Sequence, residues 1–441
     1  MHRIISQISI GILLMLMGLG CDLQEETNDF ESRMLPTQYE EINLVTLFDG
    51  LDYPWSMAFL PDNRMLITEL PGRLNILDLE SGELTRVSGL PDIGGVPEEF
   101  QTHPVRVQGQ EGGLTEVSLH PDYEENGWIY ITYTKASGEL DQRGRDLVAL
   151  AMGRGQLEGD NFVNYEELFV QNRFQAPGRH YGSRIAWTHD GKLLLSLGGT
   201  SLGPREDGRP SWPQDLQDHA GKVLRFNDDG TVPDDNPFVG REDVLPEIYA
   251  YGFRNIQGMM VHPETGEIWT VEHGPRGGDE LNLVEAGNNY GWPLITPGVD
   301  YGTQGPQPGS LGRWNVEGFT DPVYEFQPGQ APSGITVVTS DNFPNWQGNF
   351  LIGGLRSERI RRLLMFDYEG SYEGVFEGEY DGRYEVAHDE ELLLKEIGRI
   401  RDVREGPDGF IYVLRELPGG DVTIVSDEGD GTLYRIEPYE N

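Results

Sequence analysis

Along this chain a short turn rich in Pro, Asp, Asn or Gly is followed, again and again, by a short run of aliphatic, β-branched and aromatic residues. The unit occurs as LPDNRMLIT (60–68), HPDYEENGWIYITY (120–133), HDGKLLLSL (189–197), HPETGEIWTVE (262–272), FPNWQGNFLIG (343–353) and GPDGFIYVL (406–414). Runs of this length bounded by turn residues are half-buried strands. Second runs follow in GRLNILDL (72–79), GKVLRFN (221–227), ERIRRLLMF (358–366) and GTLYRIEP (431–438). No long amphipathic helix interrupts them. Six such units, spaced about sixty to eighty residues apart, predict an all-β fold: a six-bladed β-propeller with long loops over residues 43–441. A single blade cannot bury both of its faces, and closing a ring stacks each sheet on its neighbours. The alternative, a pair of β-sandwiches, needs a break near the middle that the composition does not show. The acidic stretch 373–391 is expected to be an inter-strand loop or a solvated hairpin.

Composition refines this picture in two places. The formal net charge of −41 argues against nucleic acid or anionic lipid as a partner and reads as a solvated, salt-tolerant coat. The one cysteine, Cys21, excludes a disulfide framework and a cysteine-rich metal site. Its surroundings explain it: Arg3, an apolar run from Ile8 to Leu19, then Gly20 and Cys21. Residues 1–20 are expected to be a signal of the bacterial lipoprotein type, with Cys21 lipidated. An ordinary cleaved signal and a retained anchor are the alternatives, the latter on a run short for a membrane span. Residues 21–42 are acidic and polar, and predict a flexible tether. The expected location is periplasmic or at the cell surface, with the membrane reached only through the lipid.

Candidate chemistry concentrates in YGFRNIQGMMVHPETGEIWTVEHGPRGGDELNLVEAGNNYGWP (251–293). Arg254 and Asn255 offer donors for a carboxylate or quinone oxygen. Gly274 and Pro275 offer backbone carbonyls, and Glu280 a carboxylate, to a hard cation such as Ca²⁺. His180, in GRHYGSRIAW (178–187), stands just before a strand, where a neutral imidazole can act as a general base. Arg399 and Arg401, in GRIRDVREGPDG (398–409), share strand parity and face one way, which favours an anion between them. Arg356, in GGLRSERI, is a third cation at a strand end. Each has a bland alternative: a satisfied structural histidine, arginines paired with carboxylates, glycines serving turns. No Walker loop, GxGxxG before a helix, HExxH or GxSxG is present.

Taken together, LDYPWSMAFLPDNRMLITELPGRL, GRHYGSRIAW, GKVLRFNDDGTVPDDNPF, YGFRNIQG, EHGPRGGDELNLV, NNYGWP and GRIRDVREGPDG resemble, in order over residues 45–438, the soluble quinoprotein sugar dehydrogenases. This is the glucose/sorbosone and aldose sugar dehydrogenase family that uses pyrroloquinoline quinone (PQQ). The resemblance implies a six-bladed propeller that oxidises an aldose, or a related polyol, at its anomeric carbon to a lactone, with hydride passing to the quinone C5. It implies His180 as general base; Arg254, Asn255, Arg356, Arg399 and Arg401 as quinone ligands; the Gly274 and Pro275 carbonyls on the cofactor's Ca²⁺; and Glu280 with the Tyr290 backbone on separate structural calcium. The implied partners are a small sugar and an external acceptor, quinone or cytochrome, for a monomer or homodimer. Three departures stand out. Gly199, in LSLGGTSLG, occupies the place of an acid that orients the base. Glu111 replaces a glutamine unless Gln110 fills the role, and Arg356 replaces a lysine, which alters reach and geometry. The first departure motivates another reading, a non-catalytic carbohydrate- or protein-binding propeller lipoprotein. A third is a Ca²⁺-dependent lactonase using the same kind of metal-lined funnel, against which Arg254, Arg399 and Arg401 argue, because a lactonase needs no cationic cradle.

Overall fold

The structure is a computed structural model that describes residues 31–94, 112–178, 180–199, 205, 207–312, 314–367, 384–394, 397–417 and 429–439. Six antiparallel sheets follow one another around a ring. Their innermost strands are Pro54–Phe59, Leu114–Leu119, Gly182–Trp187, Ile256–Val261, Pro332–Val337 and Arg399–Glu405, which open blades 1 to 6. Each innermost strand packs against the next, and the sixth meets the first. Among the described residues the helical segments are single turns, such as Tyr123–Asn126. The all-β propeller expected from the turn-and-strand repeat is therefore the fold.

The six repeats are the turn and second strand of the six blades: Arg64–Glu69, Ile129–Leu140, Leu193–Leu197, Ile268–Glu272, Asn349–Gly354 and Ile411–Leu417. They are easy to read because both faces are buried, so they are nearly continuous apolar runs. Hydrophobic clusters fill the seams between blades. Leu224 and Ile185 of blade 3 pack with Tyr130 and Leu150 of blade 2, and Trp269 of blade 4 packs with Phe350 and Ile352 of blade 5.

Blade 6 closes the ring with strands from both ends of the chain. Its order runs from Arg399–Glu405 through Ile411–Leu417 and Gly431–Pro438 to Glu41–Leu51 and Ser32–Pro36. Residues 32–36 and 41–42, expected within the tether, are instead sheet. Ser32 to Pro36 pair with Val45 to Glu41, and Ile42 pairs with Pro438. Pairing of Glu41–Leu51 with Gly431–Pro438 ties both chain ends into one blade and closes the ring, and Ser32–Pro36 adds a strand at its outer edge. Residues 1–30, with Cys21, lie outside the described residues. Of the acidic stretch, 384–391 belong to the outer strand Tyr384–Leu393 of blade 5, and 373–383 lie outside the described residues.

One local feature repeats in all six blades. Where the innermost strand begins, its pairing with the second strand slips: at Pro54/Ser56, Leu114/Val117, Gly182/Ile185, Ile256/Gly258, Pro332/Ile335 and Ile400/Asp402. Such bulges bend a strand and re-aim its side chains. Six of them ring one end of the central axis.

Candidate active site

In antiparallel blades, the start of the first strand and the end of the second lie at the same end. His180, Arg254, Asn255, Arg399 and Arg401 sit at first-strand starts, while Gly274, Pro275 and Arg356 follow second-strand ends. The topology therefore gathers residues separated by more than two hundred positions at the bulged end of the ring.

At blade 3 the chain turns sharply. His180 and Ser183 hold φ of 70° and 87°, with Gly182 at 70° between them. Left-handed conformations of non-glycine residues cost on the order of 1–3 kcal/mol each and are retained where the surroundings fix them. Gly198 lies beneath. A Cβ there would collide with the His180 carbonyl on one side and come within 3.0 Å of Asn255 Oδ1 on the other. His180 and Asn255 thus share one glycine floor. Asn255 is fully buried, and its Oδ1 accepts from the Gly182 N–H (3.3 Å) and from Gln257 Nε2 (3.2 Å). Those two donors fix the amide orientation and leave Nδ2 buried without a partner.

Arg254 is tied in by its own backbone. Its N–H donates to Glu272 Oε2 (2.6 Å), which also accepts from the Asn255 N–H (3.2 Å), and its carbonyl accepts from Gly199 N–H (2.7 Å). The guanidinium donates to the His273 carbonyl (2.7 Å) and lies 5.4 Å from the Trp292 ring. The Trp292 indole in turn donates to the Gly199 carbonyl (3.0 Å). Gly199 therefore clamps Arg254 through main chain alone. A side chain has no room there, because a Cβ would sit 2.8 Å from Pro213 Cγ and 2.9 Å from Gly221 N.

His273 reports how many cations converge. Burial first, then the Arg254, Arg401 and Arg399 guanidinium groups, push its pKa down to about 3. It is neutral at ordinary pH, and its Nε2 donates to the Pro332 carbonyl (2.8 Å). Arg399 and Arg401 face one way, as strand parity requires, and the anion they meet is one carboxylate of the protein. Arg401 Nη2 lies 2.7 Å and Arg399 Nη2 3.6 Å from the same oxygen of fully buried Glu416. Arg399 Nε is buried without a partner.

A second arrangement lies beside it. Glu272 and Glu280 are directly opposed on neighbouring strands of blade 4, both buried. Like charges directly opposite destabilise a sheet. Burial raises both pKa values, and Glu272 raises that of Glu280 further. The two, with Tyr290, Gly274 and Thr296, surround a cleft of about 10 Å³. Two carboxylates and neighbouring carbonyls around a water-sized space suit a hard divalent cation. Among the described residues no group of three or more acidic, histidine or cysteine side chains gathers as a metal site, so main-chain oxygens would complete the ligand set. Gly274 is enclosed by the Gly278 backbone, and the Pro275 carbonyl accepts from the Gly278 N–H (2.9 Å) while keeping a second lone pair.

Residues 51–426 match the glucose/sorbosone dehydrogenase family. The chain belongs to that family. Aldose sugar dehydrogenase YliI of Escherichia coli is 35% identical over 400 residues, covering 90% of this chain and 93% of that protein. The apo structure of the soluble aldose sugar dehydrogenase from the same organism superimposes with a TM-score of 0.72 at 34% identity, over 90% of this chain and all of that one (100%). A PQQ-bound aldose sugar dehydrogenase of Streptomyces coelicolor gives 0.62 at 25% identity, covering 92% and 98%. The Escherichia coli and Streptomyces coelicolor relatives are aldose sugar dehydrogenases.

The residues present fit the family's cofactor. Asn255 Nδ2 and Arg399 Nε are buried donors that await acceptors, and three guanidinium groups act together on His273 beside them. Sequence reasoning had named the arginines but missed Glu272, His273 and Glu416. Glu272, the strand partner of Ile256, was visible in IWTVEHG, but nothing in the sequence says that it opposes Glu280. Glu111 and Gln110 lie outside the described residues.

Proposed function

We propose that this chain is a PQQ- and Ca²⁺-dependent dehydrogenase of aldose sugars or related polyols, oxidising the anomeric carbon to a lactone. The observation that supports it best is the convergence of Arg254, Arg399 and Arg401 on His273, beside buried donors with no acceptor of their own. Arg254, Asn255, Arg356, Arg399 and Arg401 would hold the quinone, and the Gly274 and Pro275 carbonyls its Ca²⁺. Glu280, aided by Glu272 and the Tyr290 carbonyl, would hold a separate structural Ca²⁺. Bound there, the quinone supplies a hydride acceptor and its calcium ion a Lewis acid. His180 takes the proton from the anomeric hydroxyl, and its backbone, pinned over Gly198, sets where the imidazole stands. Without a carboxylate at residue 199, the main-chain strain at His180 carries more of that positioning. The protein is exported and anchored by lipid at Cys21, and passes electrons to an external quinone or cytochrome.

The test is an absorbance titration of purified protein with PQQ and Ca²⁺, followed by dye reduction with a panel of aldoses. Saturable quinone binding and aldose-dependent turnover are expected. Tight quinone binding with no turnover on any aldose would leave a binding protein, and lactone hydrolysis without quinone would identify a lactonase.

A further inference from the structure

At the same end of the ring, between blades 4 and 5, a cavity of about 830 Å³ opens. That size falls within the range of small-molecule sites, about 300–1,000 Å³. Arg276, Arg356, Arg359 and Arg361 line it, and among the described residues no carboxylate does. On a chain of net charge −41 this reverses the prevailing sign. Arginines elsewhere in the fold find acids readily: Arg73 meets Asp52 and Glu69, and Arg225 meets Asp190 and Asp235. Among the described residues, Arg276, Arg356 and Arg359 have no carboxylate within ion-pair distance. The nearby acids are engaged elsewhere. Asp279 accepts the Gly274 and Ala331 N–H groups (3.0 and 2.7 Å), and Glu325 accepts the Gln327 amide.

Arg361 is fixed by Gln330 Oε1 (3.0 Å) and the Tyr324 hydroxyl (3.0 Å), so the cavity floor is rigid. Arg276 lies over the Tyr301 ring at 5.7 Å. Arg276, Arg356 and Arg359, sharing one cavity with no described carboxylate at ion-pair distance, repel one another, and an anionic ligand with paired oxygens relieves this. The cavity adjoins the site described above, because Arg276 follows Pro275 directly and Arg399 donates to the carbonyl of Leu355 (3.0 Å), the residue before Arg356. We propose that this cavity receives the anionic group of the substrate, so that the preferred sugars are aldoses bearing a carboxylate or phosphate. Arg276 and Arg359 are then specificity-determining residues. This rests on the oxidoreductase reading for turnover, but not for binding.

Two measurements separate those dependences. Calorimetry on the full chain without quinone uses D-glucuronate, D-glucose 6-phosphate and D-glucose as probes. Binding of an acidic sugar is expected, at least tenfold tighter than glucose, weakened tenfold or more in R276Q/R359Q and by about 0.5 M NaCl. The stronger of the two acidic probes assigns carboxylate or phosphate. R359Q alone, on blade 5 and away from the calcium loop, is expected to weaken binding severalfold and guards against a folding defect in the double variant. In protein reconstituted with PQQ and Ca²⁺, kcat/KM for the bound acidic sugar should exceed that for glucose at least tenfold, and the double variant should lose this preference while keeping its rate on glucose. Absence of acidic-sugar binding, or equal losses on acidic sugar and glucose, overturns the proposal. Loss of quinone affinity in R276Q/R359Q with unchanged glucuronate binding also overturns it, and assigns the arginines to the cofactor. Arginine-dependent glucuronate binding with no turnover on any sugar sustains the anion site and rejects the oxidoreductase reading.

Discussion

At the scale of single residues, Gly199 shows how a position can lose a carboxylate and keep a role. Its N–H and C=O hold Arg254 and Trp292, and its Cα faces Pro213 and Gly221 too closely for any side chain. Restoring the acid therefore does not restore the base's partner. G199D is expected to destabilise the fold by about 1–3 kcal/mol through overpacking and to lower quinone affinity, as denaturant melts and PQQ titration will show. An increase in turnover would refute this. His180 and Arg401 should separate chemistry from binding. H180A is expected to lower turnover by about 10²–10⁴-fold with quinone affinity nearly intact. R401A removes the partner of buried Glu416 and should weaken quinone binding first, with turnover retained at saturating quinone. Similar losses in both quantities for both variants would contradict these roles.

At the scale of elements, the strand pair of blade 4 carries a conflict that a cation resolves. Opposed Glu272 and Glu280 repel across the ladder, while Glu272 is already committed to the Arg254 and Asn255 N–H groups. In metal-free protein, E280Q is expected to raise the melting temperature relative to the parent chain. Ca²⁺ at a hundredfold excess over its Kd should then stabilise the parent by about 2.7 kcal/mol and the variant distinctly less. Thermal melts with and without chelator decide this, and the same Ca²⁺ gain in both proteins would remove Glu280 from the ligand set. The repeating bulge at first-strand starts belongs to this scale too. Each one marks the start of a first strand, and His180, Asn255 and Arg401 each lie within two residues of one, so three blades present them at the same end of the ring.

At the scale of the whole molecule, the ring is stitched along its axis by charge. Arg184 of blade 3 meets Glu116 of blade 2 (3.0 Å) and Asp402 of blade 6 (3.2 Å). Arg404 of blade 6 reaches the same two acids (2.6 and 2.9 Å), and Ser56 of blade 1 donates to Glu116 (2.6 Å). Arg184 also donates to the Gln257 and Arg401 carbonyls (2.6 and 3.2 Å), which links the axis to the site at its mouth. Removing one buried partner strands the rest. E116Q is expected to cost about 3–5 kcal/mol of stability, measured by denaturant unfolding, and to loosen quinone binding through Arg401. A loss below about 1 kcal/mol, the value of a surface pair, would show that the axis is solvated.

The sequence by itself determined the number of blades and the second strand of each. Strands buried on both faces are written as apolar runs between turn residues, and that signal is local. It also placed His180, Arg254, Asn255, Arg399 and Arg401 beside strand-like runs, and the structure puts each at the start of a first strand. Only the tertiary structure decided that the N-terminal strand Glu41–Leu51 joins the C-terminal blade, that Glu416 sits between two arginines, that Glu272 faces Glu280 and that residue 199 admits no side chain. These are facts of register and close approach between segments far apart in the chain. No local periodicity encodes them, because the energy that fixes them arises only when the blades meet.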